Sequence, residues 1–191
     1  MLNIIGLGHI NVVVGNIAEG INYYQTLFRC VPQQSFPHFR NKGFALSAGF
    51  MENSEEVDVS ICFLQIPGTS IVLELMEYHS PSGEKSEKIK KTTDMGNVGH
   101  ICLKVKDINT AFSHINSIPE TRLISSDKNY RPVFISPVRS DEFYFFDPLK
   151  ESDPVEKETV CNIIKNIRYF YFVDKYNVQW EFEEGHSDIG E

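Results

Sequence analysis

Two histidines and two glutamates stand at matching places in this chain, and together they suit a divalent transition metal. His9 lies in the run Gly8-His9-Ile10-Asn11-Val12-Val13-Val14, and ninety-one residues later His100 lies in Gly99-His100-Ile101-Cys102-Leu103-Lys104-Val105. Glu74 lies in Ile71-Val72-Leu73-Glu74-Leu75-Met76, and Glu181 lies one hundred and seven residues on, in Val178-Gln179-Trp180-Glu181-Phe182-Glu183. Two imidazoles and two carboxylates can hold one such ion and leave positions open for water or substrate. A single histidine or glutamate on a strand is usually a structural or solvated group. Four at equivalent places in a repeat are a different matter.

The repeat also predicts the elements that must position these groups. Residues 6–14 alternate, with Ile10, Val12 and Val14 on one face and His9, Asn11 and Val13 on the other. A helix follows from Ile17 to Phe28, with Asn16 and Glu19 in capping-box spacing and Ile17, Ile21, Tyr24 and Phe28 as its buried stripe. The second copy repeats this as a strand over 98–105 and an Asp107-capped helix from Ile108 to Ile118, stopped by Pro119. Each closing strand puts Leu73 and Leu75, or Trp180 and Phe182, on one face. Glu74 and Glu181 therefore share the opposite face with His9 and His100.

The first module, residues 1–78, reads β-α-β-β-β, with a loop at 33–43 and strands at 44–50, 57–65 and 71–78. A polar linker spans 79–96. The second module, 97–184, adds strands near 132–136, 142–146 and 168–173, and an acidic, proline-punctuated insertion at 147–166. The tail is 185–191. The change in offset places sixteen net extra residues inside the second module.

Bulk properties exclude several classes. With 41% hydrophobic residues the chain can bury a sizeable core, and a formal charge of −8 disfavours nucleic acid or an anionic membrane surface as partner. No apolar run is long enough to span a bilayer, and the N-terminal run lacks the basic start and cleavage site of a signal peptide. Four cysteines without close pairing suggest reduced thiols in the cytoplasm. Cys102 shares the ligand face, but no base is identifiable beside it. His38, His79, His114 and His186 have no repeat partner and read as surface residues.

With Gly8-His9-Ile10, Val72-Leu73-Glu74-Leu75, Gly99-His100-Ile101 and Gln179-Trp180-Glu181-Phe182 in hand, the chain resembles the vicinal oxygen chelate superfamily. That group includes glyoxalase I, methylmalonyl-CoA epimerase, extradiol dioxygenases and fosfomycin- and bleomycin-resistance proteins. The resemblance covers nearly the whole chain outside the linker, insertion and tail. It implies an α+β fold of two tandem βαβββ modules whose mixed sheets curl into a cup around a metal. Glyoxalase-like members take one ligand from the first and one from the last strand of each module, which are His9, Glu74, His100 and Glu181 here. Extradiol dioxygenases leave the Glu74 position without a ligand, and methylmalonyl-CoA epimerases usually place Gln there.

The complete set therefore points to a glyoxalase-like isomerase or lyase acting on a small oxygenated molecule, including a thiol or CoA conjugate. One divalent ion (Zn, Ni, Co, Mn or Fe) would stabilise an enediolate, with Glu181 as first choice of proton shuttle and Glu74 as second. Asn11, Lys104, Gln179 and Glu183 share the face and are candidate substrate contacts. A homodimer is expected by analogy, with the site in one chain or across two. An Fe(II) dioxygenase and a metal-free binding protein are the alternatives. One departure stands out. The turn before the last strand, often Asp-Pro-x-Gly in the family, is Asp174-Lys175-Tyr176-Asn177 here and keeps only the Asp.

Overall fold

In a computed structural model of the chain, residues 6–84, 93, 95, 98–135 and 137–185 are described. The chain divides into two compact units, residues 1–89 and 90–191. The first contains β1 (Ile10–Val13), α1 (Ile17–Phe28), β2 (Val31–Phe39), α2 (Lys42–Ser47), β3 (Asp58–Gln65) and β4 (Val72–Ser80). Its sheet is ordered β1-β4-β3-β2, with β1 parallel to β4 and the other neighbours antiparallel. The second contains β5 (Ile101–Lys104), α3 (Ile108–Ser117), β6 (Arg122–Leu123), β7 (Val133–Phe134), α4 (Pro148–Glu151), α5 (Pro154–Ile164), β8 (Arg168–Val173) and β9 (Gln179–Glu184). Its sheet is ordered β5-β9-β8-β6, with β5 parallel to β9 and β7 also paired to β8. The class is α+β with two mixed sheets, as expected.

Local chemistry explains the two main helices. Asn16 Oδ1 accepts from Glu19 N at 2.9 Å, and Arg29 ends α1 in the left-handed conformation with φ 56°. Asp107 Oδ1 accepts from Asn109 N and Thr110 N, both at 3.0 Å, to start α3. The buried stripe of α1 is Gly20, Tyr23, Tyr24 and Leu27, whereas Ile17, Ile21 and Phe28 are only half-buried. Gly20 shows why the stripe is rotated from the expected one. A Cβ there would stand 3.2 Å from Val14 Cγ1 and 3.3 Å from Leu75 Cδ1, so its absence brings the helix close to the sheet.

Several expectations are corrected. The loop expected at 33–43 is largely the edge strand β2, which accommodates Pro32 and Pro37 through register shifts against β3. The strand expected at 44–50 is instead α2 and the turn after it. Asn41 Oδ1 accepts from Phe44 N at 2.8 Å and so starts a helix where the apolar run had suggested a strand. A small core of Ala45, Val57, Val59, Ile61 and Met76 forms there, on the sheet face opposite α1. In the second unit only Val133–Phe134 of the expected 132–136 strand is extended, and 142–146 forms no strand. The carbonyls of Ser140 and Phe143 accept from Lys157 Nζ at 3.2 and 3.1 Å instead of joining a ladder.

The insertion at 147–166 is two helices. Asp147 and Asp153 cap them, each followed by a proline in the first turn, where a missing N–H costs nothing. Most of the expected linker (85–92, 94, 96) and the tail after Gly185, with His186, lie outside the described residues. Among the described residues no helix is long and apolar enough to cross a membrane.

The turn into β9 keeps its geometry without Pro or Gly, because one buried carboxylate organises it. Asp174 Oδ1 accepts from Tyr176 N at 2.8 Å and Val178 N at 3.0 Å, and Oδ2 accepts from Trp180 Nε1 at 2.9 Å. Asn177 takes the left-handed conformation at φ 64° that glycine would otherwise supply. Asp174→Ala is expected to lower unfolding stability by about 2–4 kcal/mol, because it strands a buried indole N–H and two turn amides. Urea denaturation of the two proteins checks this, and a loss below about 0.5 kcal/mol would refute the role given to the turn.

Candidate metal centre

Each unit brings one histidine and one glutamate together in the same way. In the first, parallel pairing of β1 with β4 sets Asn11 against Glu74, and Phe63 stands opposite Glu74 on β3. His9, just before β1, places Nε2 3.2 Å from Glu74 Oε2. The same oxygen accepts from Asn11 Nδ2 at 2.9 Å, and the Phe63 ring meets the His9 ring edge-on at 6.1 Å. In the second unit β5 and β9 set Cys102 against Glu181, with Tyr171 opposite on β8. His100 Nε2 lies 2.9 Å from Glu181 Oε2. The histidine side chains are 46% and 41% exposed and the glutamates 14% and 12%, so each pair has an open imidazole and a sheltered carboxylate.

These separations fit a shared ion. Two ligand atoms each about 2.1 Å from one metal stand about 3.0 Å apart at an octahedral angle and about 3.4 Å at a tetrahedral one. At these distances an imidazole carrying its proton on Nε2 donates to the carboxylate. Metal binding would displace that proton.

The other candidate residues are placed less uniformly. Asn11 is exposed and bound to Glu74. Lys104 is exposed at the end of β5, in register with Glu183. Gln179 is half-buried at the start of β9, and Glu183 is buried at 8% exposure. Cys102 Sγ and carboxylate oxygens of Glu181 and Glu183 lie within 4.8 Å of one another, so the thiol has acidic neighbours that the sequence did not reveal.

Two features went unread in the sequence. Tyr171 is half-buried and hydrogen-bonded to Glu181, and its ring stands edge-on to His100 at 5.2 Å. Burial, followed by the charge of Glu181, pushes its phenol well up, so the hydroxyl keeps its proton and donates to the carboxylate. The alternation Tyr169-Phe170-Tyr171-Phe172 was the available signal, with tyrosines on the ligand face and phenylalanines on the helix face.

The second feature is at the edge of the first sheet. His38 and His79 stack at 4.5 Å, with His38 Nδ1 3.0 Å from Asp58 Oδ2 and His79 Nε2 2.8 Å from Ser60 Oγ. Arg40 bonds the same Asp58 oxygen at 2.8 Å, and the Arg40 and His38 bonds hold that carboxyl below its usual range. Ser60 is buried, so this cluster reads as a clamp between strands. His114 is half-buried in the last turn of α3, deeper than the surface position expected.

With this geometry in view, comparison with known proteins is informative. The family model described as the Glyoxalase/Bleomycin resistance protein/Dioxygenase superfamily matches residues 6–118. No curated protein matches the chain. A glyoxalase family protein from Bacillus cereus is similar in structure, with a TM-score of 0.64 at 11% identity, covering 97% of each chain. A genomically encoded fosfomycin resistance protein from Listeria monocytogenes, determined with Mn(II) and sulfate, has a TM-score of 0.51 at 14% identity over 96% of this chain and 95% of its own. A glyoxylase/bleomycin resistance protein/dioxygenase domain from Frankia has a TM-score of 0.53 at 10% identity, covering 96% and 100%. At such identities these likenesses speak for the fold alone.

Thiol accessibility tests the placement of Cys102. No cysteine is in a disulfide; Cys30 and Cys62 are buried, Cys102 and Cys161 half-buried. Burial pushes the Cys30 thiol up to about 12 and that of Cys62 upward. With Ellman's reagent at pH 8, Cys102 and Cys161 should react in the native protein, and Cys30 and Cys62 only after unfolding. Cys102→Ala should remove one of the two native reactions. An unchanged native count would show Cys102 to be sealed in.

Proposed function

The chain belongs to the Glyoxalase/Bleomycin resistance protein/Dioxygenase superfamily, and from that premise we propose that it is a metal-dependent isomerase or lyase. Its substrate is a small molecule with two neighbouring oxygens, including thiol or CoA conjugates. The observation that carries this is the recurrence of one His–Glu pair per unit, at 3.2 and 2.9 Å, on equivalent strands of a repeated fold. A chain that only sequestered a metabolite would have no need of four such donors. In this proposal His9, Glu74, His100 and Glu181 are the protein ligands of one divalent ion. The ion would supply Lewis-acid polarisation of the substrate oxygens.

The remaining chemistry falls to the chain's own side chains. Glu181 takes the proton from the substrate carbon and returns it to the neighbouring carbon or the other face. Tyr171 holds the Glu181 carboxylate by its hydroxyl and so orients it for that transfer. Glu74, held by Asn11, is the second candidate for the same task. Exposed Lys104 would meet an anionic part of the substrate, while Asn11 and Gln179 would meet its polar groups. Buried Glu183 would act at the edge of the site. The proposal includes a homodimer in the cytoplasm, where thiols stay reduced.

Metal content of the purified protein, after loading with Zn, Ni, Co, Mn or Fe, is the test. Wild type should retain about one divalent ion per chain, as a site with open positions requires, and His9→Ala/Glu181→Ala should lose it. No retained metal after loading would overturn the reading. Glu181→Gln should lower turnover of 2-oxoaldehyde–thiol adducts by roughly 10²–10⁴-fold, and unchanged turnover would remove Glu181 from the proton transfer. Iron together with a requirement for O₂ would assign the chain to the dioxygenases instead.

A further inference from the structure

The second unit places a thiol where the first places an amide. Asn11 and Cys102 hold the same position in the repeat, in register with Glu74 and Glu181. Asn11 Nδ2 donates at 2.9 Å to Glu74 Oε2, the same oxygen that stands 3.2 Å from His9 Nε2. A side chain at this position therefore reaches the carboxylate on the side that faces the histidine. The Asn11 amide uses that reach to orient the carboxylate by a hydrogen bond. A thiol can instead lose its proton and bind a metal.

The surroundings of Cys102 suit that second use. Alternation puts His100, Cys102, Glu181 and Glu183 on one face, with Leu103, Trp180 and Phe182 buried on the other. Cys102 Sγ and a carboxylate oxygen from each glutamate lie within 4.8 Å of one another. Glu181 is the neighbour that thiol and imidazole share, since its Oε2 is 2.9 Å from His100 Nε2. Thiolate and carboxylate ligands of one Zn, at about 2.3 and 2.1 Å, stand about 3.1 Å apart at a right angle and about 3.6 Å at a tetrahedral one. Groups already within 4.8 Å reach that spacing by small side-chain rotations. Cys102 is half-buried and forms no disulfide, so it keeps the thiol that a metal requires.

We propose that Cys102 is a further metal ligand, and that its thiolate makes the centre select a thiophilic ion such as Zn or Co over a hard one such as Mn. This inference rests on the metal reading of the His100–Glu181 pair. As the sulfur–metal bond forms, the thiol proton passes to solvent. Beside His9, Glu74, His100 and Glu181 the sulfur is a fifth donor. It therefore belongs to the resting centre and gives way to a substrate that brings two oxygens.

Cobalt loading tests the role of Cys102 apart from the reading beneath it. Wild type loaded with Co(II) under reducing conditions should hold about one ion per chain and show an intense near-ultraviolet sulfur-to-cobalt charge-transfer band. Cys102→Ser should still hold cobalt but lose the band, and Cys102→Ala should lose it as well. Cys161→Ser, altered on α5, should keep it. The preference for Zn over Mn should fall at least about tenfold in Cys102→Ser. Zn loading of the wild type should also protect Cys102 from Ellman's reagent, and a chelator should restore the reaction. Cobalt bound without the band, a band that survives Cys102→Ser, or unchanged Cys102 reactivity in the Zn-loaded protein would overturn the proposal and leave the metal centre standing. No cobalt retained by wild type would overturn both.

Discussion

The parallel pairing of the first strand of each unit with its last is the constraint on which the rest depends. β1 and β4, or β5 and β9, are far apart in the chain, and a parallel neighbour cannot be reached by a tight turn. The intervening helix and strands are the crossover that this pairing requires. Once the register sets Asn11 beside Glu74 and Cys102 beside Glu181, the histidine just before each first strand is delivered to the carboxylate of the last. A slip of one residue would send each glutamate to the helix face and dissolve both pairs.

The two faces of each sheet divide the work. The helix face carries the large apolar residues, with Leu73, Leu75, Trp180, Phe170 and Phe172 all at 0% exposure, which pins the register by burial. The opposite face carries the polar donors, sheltered by aromatic neighbours on the next strand. Phe63 in the first unit and Tyr171 in the second occupy the same place opposite the glutamate. The second of these adds a hydroxyl, so the two His–Glu pairs match in residue type and differ in how the carboxylate is held. That asymmetry adds support for Glu181 over Glu74 in the proposed proton transfer.

Beyond the sheets, the units diverge where the chain is least constrained. In the first, α2 closes a small core on the ligand face, around Ala45 and Met76. In the second, the corresponding stretch is shortened to β6 and β7, and a cleft opens between α3 and the segment 121–132. Two Asp-Pro-capped helices then lead into β8. One repeated frame thus carries different accessory chemistry on its two copies.

How much of this was legible beforehand follows from the range of each interaction. The duplicated strand–helix pattern, the caps Asn16 and Asp107, the extent of α1 and the facing of both His–Glu pairs are local or periodic, so residue order alone determined them. The edge strand β2 was not legible, because Pro32 and Pro37 forbid a regular ladder and only a bulged pairing with β3 accommodates them. The helix α2 was hidden because an apolar run does not distinguish strand from helix until the Asn41 cap and its packing partners choose. The Tyr171–Glu181 bond joins residues distant in the chain. Sequence determined which donors exist and which face they take. Only the tertiary pairing decided which aromatic stands beside which carboxylate, because those contacts exist only once separate strands share a register.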